Sequence, residues 1–455
     1  MAFSADQLIS LVDEGLGNSS YLLDLGDGSA LAVDASRDLR ALNAAAERRG
    51  LHVRFAADTH LHADFLSGAV QLHKEQGAQI LASAHGDREF PHTGLGDLDE
   101  VDLGGLTLCA LATPGHTDEH LSFLICDGGE EIGVFTGGSL IVKSAARTDL
   151  LGPQRTIELT RRQFRSLQRL SALPDDAAVW PTHGAGSFCS APSGARRTST
   201  IGAERDSNPL LSLGEDAFVE ALTGSLGSYP TYFRRMAERN RQGPTVVDGE
   251  PSLDALSPDS VRSLTADGAW IVDARSAVAF GAGHVPGAVS IPLRPQFASW
   301  LGWVVPDDVP LVFVVPENPG VISELIWQAY KIGYERIVGY LAGGMAAWVS
   351  TGGQIALTPY LRADETAATM PYVDVRQAAE WTDHHVRGAR HIELGDIVAH
   401  VDAVPTGSLV ACGHGERAMT AASLLQRHGR RDIAVLDGSP DDFARRHRVP
   451  LTTGD

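Results

Sequence analysis

Cysteine is scarce: 455 residues hold four, Cys109, Cys126, Cys189 and Cys412, with no Cys-x-x-Cys pair. A disulfide framework and a cysteine-built zinc site are therefore excluded as organising features, and each thiol is read by itself. Basic residues are also short, 37 Lys and Arg against 57 Asp and Glu, for a formal net charge of -20. That sign opposes phosphate backbones, so nucleic acid is not an expected partner. No apolar run approaches the roughly 18 to 20 residues that span a bilayer. The start, "MAFSADQLISLVDEGLG", carries acids where a secretory signal carries Lys or Arg. No membrane association is expected, and the chain is read as cytoplasmic.

What is present is an α/β pattern long enough for roughly three domains of about 150 residues. Short apolar runs such as "SYLLDL", "ALAVDA", "LSFLIC" and "IGVFTGG" alternate with helix-like stretches such as "TIELTRRQFRSLQRLSAL". A polar connector, "SAPSGARRTSTIGAERDSNP", leads into a helical extension, and the first domain is assigned to residues 1–250. Two later stretches repeat each other: "WIVDARSAVAFGAGHVPGAVSIPL" and "PYVDVRQAAEWTDHHVRGARHIEL". Both read strand, Asp-x-Arg, short helix, His-Val-x-Gly-Ala, strand, which predicts two tandem α/β domains over 255–356 and 360–455.

The stretch "THLHADF" sets His60, His62 and Asp64 at alternate positions, where a strand end runs into a loop. Imidazole nitrogens and carboxylate oxygens suit zinc, iron or manganese, but such a cluster needs further ligands from elsewhere. His116 in "ATPGHTDEHLSF" and His183 in "VWPTHGAGSFC" follow Pro-bearing turns beside strand-like runs and supply candidates. A lone histidine at either place reads as structural; four with an acid, recurring at strand ends, read as a metal site.

In order and spacing, "THLHADF", "PGHT", "VFTGG" and "PTHGAGSFC" resemble the metallo-β-lactamase fold, in its persulfide dioxygenase branch related to glyoxalase II. The resemblance implies an αββα sandwich with its metal at one edge. Phe65 stands where dinuclear relatives carry a histidine, which disfavours a two-metal hydrolase. Persulfide dioxygenases imply one Fe(2+) held by the counterparts of His60 and His116 and by an Asp after a Thr-Gly pair. Here that Asp is replaced by Gly138, in Thr136-Gly137-Gly138-Ser139. Three arrangements stay open: a set of His60, His62 and His116; a displaced set using Asp64 and His183; or a site that binds metal weakly or not at all, with Zn(2+) as the alternative to iron. Gly138→Asp is expected to raise iron affinity where the fold offers the family's ligand geometry at that position. The segment "SAARTDL" resembles the one with which these dioxygenases grip a thiol cofactor's carboxylate, which marks Arg147 and Asp149 as substrate-binding candidates.

In "LVACGHGERAMTAASLL", Cys412 lies between an apolar strand-like run and a helix-like run, over backbone N–H groups that stabilise a thiolate or persulfide. The loop Cys412, Gly413, His414, Gly415, Glu416, Arg417, with the Asp-x-Arg and "HHVRGA" motifs, resembles rhodanese sulfurtransferases. Cys412 and Arg417 become catalytic candidates, and Gly413, His414, Gly415 and Glu416 a substrate cradle. A Cys-x5-Arg phosphatase loop fails at Ala418. The first repeat matches rhodanese but reads "LVFVVPENPG" at the loop, without cysteine, so it is expected to be silent. Cys109, Cys126 and Cys189 are read as structural. The expected substrates are a small-thiol persulfide and an acceptor thiol, in a possible homo-oligomer. Two other functions stay in view: a thioester hydrolase of glyoxalase II type, and a sulfur carrier or sensor.

Overall fold

Alternation along the early strands sorts their side chains onto two faces, and that sorting builds the first half of the protein. The computed structural model describes residues 3–190 and 196–454. It divides into two compact units, Met1–Gly249 with Tyr330–Gly333, and Glu250–Ala329 with Tyr334–Asp455.

In the first unit six strands form one sheet in chain order: Leu8–Asp13, Asn18–Asp24, Ser29–Val33, His52–Ala57, Gln79–Ser83 and Thr93–Leu95. Tyr21, Leu23, Leu31, Val33 and Phe55 project to one face and meet Leu108, Ala110, Phe123, Ile125 and Phe135 of a second six-stranded sheet. Leu22, Ala30, Ala32, Val53 and Ile80 point the other way, against the helices Arg40–Arg49 and Ala69–Gln76. The second sheet covers its outer face with Pro153–Leu170 and Glu215–Gly224 through Leu124, Val134, Leu167 and Phe218. Two strand faces of period two, each apolar, force four layers: the expected αββα sandwich.

The polar connector is folded where it is described. Ser199–Thr200 pairs with Ala178–Pro181, and a helix follows at Ile201–Ser207, capped by the Thr200 hydroxyl. Residues 191–195 of the connector lie outside the described residues.

The second unit contains two five-stranded parallel sheets with the same connectivity. Their repeat motifs form equivalent bonds. Arg275 grips the Asp273 carboxylate at 2.9 and 2.5 Å and donates to the Gly283 carbonyl; Arg376 grips Asp374 and donates to the His384 carbonyl. His284 stacks on Phe280 at 3.7 Å, and His385 on Trp381 at 3.5 Å, each imidazole Nδ1–H donating to that aromatic residue's carbonyl. These repeat residues therefore close the turn after the strand that ends in the Asp, Trp270–Asp273 in one repeat and Tyr372–Asp374 in the other.

Candidate functional site

Five strand ends deliver imidazoles and carboxylates to one edge of the sandwich. Counting their protons shows which atoms are left for a metal. The Thr59 hydroxyl donates to Asp34 Oδ2 at 2.7 Å, so it accepts from His60 Nδ1 at 2.8 Å. His116 Nδ1–H donates to the Arg147 carbonyl at 2.7 Å. His183 Nδ1–H donates to Asn18 Oδ1 at 3.1 Å, while Asn18 Nδ2 donates to Asp64 Oδ2 at 2.7 Å. All three imidazoles thus carry their proton on Nδ1 and present a bare Nε2 lone pair. The Nε2 atoms of His60 and His183 stand 3.3 Å apart, with no proton left to share between them. That of His116 is buried and has no hydrogen-bond partner. Ligand atoms of His60, His116 and His183 lie within 4.8 Å of one another, a donor set that fits one divalent transition metal.

This arrangement redistributes the expected ligands. His183 joins His60 and His116, whereas His62 Nε2 turns to Asp34 Oδ1 at 3.2 Å. His62 also reaches two other potential groups, with Asp34 and His60 and with Asp64 and His183. Asp34, a residue the motifs did not mark, sits at φ 50°. It gathers Thr59, Thr182 and His62 and organises the whole edge. The other unmarked residue is His120, whose Nε2 accepts from the Gly138 N–H at 3.0 Å and whose Nδ1–H donates to Thr113. Asp34 follows the strand in "ALAVDA" and His120 directly precedes the strand that opens with "LSFLIC", and those strand-end positions are the signal that could have found them. The loop itself is held from the helical extension: Asn240 donates to the carbonyls of His62 and Phe65, and the Tyr232 hydroxyl to that of Asp64.

Burial, with neighbouring imidazoles adding to it, drives His60 and His120 well below the ordinary histidine range and His116 down to about 3. Burial works against charge on His62 too, but Asp34 outweighs it and holds His62 above its ordinary value. The signs then separate. Three histidines bind fewer protons folded than unfolded, so their contribution to stability is lost as pH falls below 6.5. The His62 contribution is present below 6.5 and lost as pH rises through its raised folded value. Metal-free protein is expected to lose on the order of 3 kcal/mol between neutrality and about pH 5. Denaturant titrations at both pH values, in chelator, measure it; equal midpoints would refute it.

Arg147 and Asp149 do not form an open carboxylate grip. Arg147 is buried, and its guanidinium donates to both Asp149 oxygens at 2.7 and 2.8 Å and to the carbonyls of Phe188 and Gly227. With Tyr229 against its face at 4.3 Å, it is a staple beneath the His116 turn. The expectation of a substrate contact is corrected accordingly. Arg147→Ala should cost about 3 kcal/mol by stranding buried acceptors, read as a lowered unfolding midpoint rather than a raised KM alone.

Gly138 is also more than a missing ligand. A Cβ there would lie 2.3 Å from His116 Cδ2 and 3.0 Å from its Nε2. The imidazole occupies the space a side chain at 138 would need. Gly138→Asp is therefore expected to displace His116 and lower metal retention, contrary to the reading from the motif alone; metal content of the purified variant decides.

In the second unit Cys412 is buried at the end of the strand Leu409–Ala411, and the helix Glu416–Arg427 begins four residues later. Gly415, at φ 80°, makes the turn; a Cβ there would meet the Tyr360 hydroxyl at 2.3 Å, so the loop admits only glycine. Arg417 is held bidentately by Glu380 at 2.6 and 2.8 Å. Glu416 pairs with Arg294 at 2.9 Å. His414 is exposed and Gly413 half-buried. In the first repeat the register is the same: Asp273 faces Val314 as Asp374 faces Ala411. Val315 thus occupies the position of Cys412. A persulfide cannot form there, yet this first repeat supplies Arg294 and Trp300 to the neighbouring loop.

The model of the rhodanese-like domain matches residues 257–351 and 360–446. The first half is similar to human mitochondrial persulfide dioxygenase ETHE1, 29% identical over 213 residues, 45% of this chain and 75% of that protein. It is also similar to hydroxyacylglutathione hydrolase of Brucella anthropi, 34% identical over 155 residues, 33% of this chain and 55% of the relative. The chain therefore spans just over half the length of that hydrolase. A solved metallo-beta-lactamase from Staphylococcus aureus subsp. aureus COL superposes with TM-score 0.66 at 29% identity, covering 74% of this chain and 98% of that one. Two rhodanese-like domains follow a metallo-β-lactamase-fold domain with persulfide dioxygenase homologues. The relatives of the metallo-β-lactamase half are enzymes, a persulfide dioxygenase and hydroxyacylglutathione hydrolases. Among the described residues no helix is long and apolar enough to cross a membrane.

Proposed function

We propose that the protein handles sulfane sulfur at two centres: it accepts sulfur from a small-thiol persulfide on Cys412 and passes it to an acceptor thiol, and it oxidises persulfide to sulfite at the histidine site. The observation that carries this reading is the pairing, in one chain, of a thiol before a helix start with three bare imidazole nitrogens at a sheet edge. His60, His116 and His183 would hold the ion, Fe(2+) ahead of Zn(2+); iron, when bound, supplies the redox chemistry that dioxygen requires. Around it, Thr59, Asn18 and the Arg147 carbonyl keep each imidazole in the tautomer that offers Nε2. Protein loaded with iron under anaerobic conditions and then exposed to glutathione persulfide is expected to consume oxygen and release sulfite. The thioester-hydrolase reading draws on the hydroxyacylglutathione hydrolase relatives. Thiol release from lactoylglutathione without oxygen uptake would establish it instead, and sulfur transfer through Cys412 with neither activity would leave a carrier.

A further inference from the structure

The residues of the Cys412 loop form two ion pairs. Glu380, on the helix Ala378–Asp383, takes both terminal nitrogens of Arg417, at 2.6 and 2.8 Å. Arg294 takes Glu416 at 2.9 Å. Trp300 lies across the Arg417 guanidinium at 5.8 Å. In the Arg417–Glu380 pair 17% of the arginine side chain and 39% of the glutamate side chain are exposed, so the guanidinium is largely covered while the carboxylate remains partly open to solvent. A guanidinium whose fork is already filled by a carboxylate, with an indole over its face, offers little to an incoming anion.

Sulfur can reach Cys412 in two ways. The thiolate can attack the outer sulfur of a persulfide R–S–SH, forming the Cys412 S–S bond, breaking the R–S–SH sulfur bond and releasing RS−. It can equally attack the outer sulfur of thiosulfate, breaking its S–S bond and releasing sulfite with both negative charges. Neither route needs an oxidant. They differ in the charge brought to the loop, since thiosulfate is a dianion and a neutral thiol's persulfide carries at most one charge. With its charge matched and its fork filled by Glu380, Arg417 offers no uncompensated positive charge, and a dianion depends on such a partner more than a singly charged persulfide does.

We propose that Glu380 sets the donor selectivity of the Cys412 site, turning it away from thiosulfate and towards thiol persulfides by occupying Arg417. This rests on the sulfur-transfer reading above and adds the residue that chooses the donor. Glu380 is a specificity residue, acting through Arg417.

The test uses full-length protein, with thiosulfate and hydroxyethyl persulfide as donors and cyanide as acceptor. The ratio of kcat/KM for thiosulfate to that for the persulfide is expected to rise about fivefold to tenfold in Glu380→Gln. Glu380→Asp, which keeps the charge, should retain the wild-type ratio and so separate charge from packing. An unchanged ratio in Glu380→Gln, or an equal rise in both variants, overturns the proposal while leaving sulfur transfer intact. If neither donor places sulfur on Cys412 of the wild-type protein, the sulfur-transfer reading itself falls, and the proposal with it.

Discussion

Cys412→Ser is expected to end sulfur transfer, with a loss on the order of a thousandfold or more in turnover. A serine hydroxyl at that place is neither acidic enough to ionise near neutrality nor able to hold sulfur in an S–S bond. The loop is preserved, because Gly415 makes its turn and the Arg417–Glu380 and Glu416–Arg294 pairs do not involve the thiol. Mass spectrometry after persulfide treatment should find one added sulfur on wild-type protein, lost in Cys412→Ser and kept in Cys189→Ser. Cys189 is fully buried, and burial, helped by Asp64, pushes its thiol well above the ordinary cysteine range. It is a poor nucleophile for that reason. Sulfur found equally on Cys189 would defeat the single-site assignment.

His183→Ala is expected to empty the metal site as thoroughly as His60→Ala or His116→Ala, lowering affinity by more than about a hundredfold in each case. Removing one of three imidazoles leaves two donors and a cavity that water fills, and two neutral ligands hold ferrous or zinc ions weakly at a buried place. Asn18→Ala should cost less, about tenfold to a hundredfold, because it frees His183 to turn without deleting its nitrogen. The readout is metal content after dialysis against a weak chelator, which does not depend on turnover. Full occupancy in His183→Ala together with loss in His62→Ala would restore the set of His60, His62 and His116.

Much of this was legible in the sequence because its signals are local. The apolar runs showed an α/β pattern, and the resemblance carried by "THLHADF", "PGHT" and "PTHGAG" implied the sandwich and marked the strand ends that hold its site; Cys412 before a helix-like run marked the second centre. The tandem repeat was visible because Asp-x-Arg and His-Val-x-Gly-Ala close the same turn twice, within a few residues of chain. The absence of cysteine at the first repeat's loop was likewise a matter of reading the letters, and the structure puts Val315 there.

Which imidazoles face one another was decided only by the tertiary structure. His183 is oriented by Asn18, 165 residues away, and His62 is drawn off by Asp34, 28 residues away. Arg147 looked like a substrate grip until the fold brought the Phe188 and Gly227 carbonyls to its guanidinium. Gly138 looked like a lost ligand until the His116 ring was found in the space beside it. Local sequence sets the backbone period and places a side chain at a strand end. Where its donors and acceptors then point is settled by the distant groups that satisfy them, because a buried polar atom must find a partner or leave a lone pair for a metal.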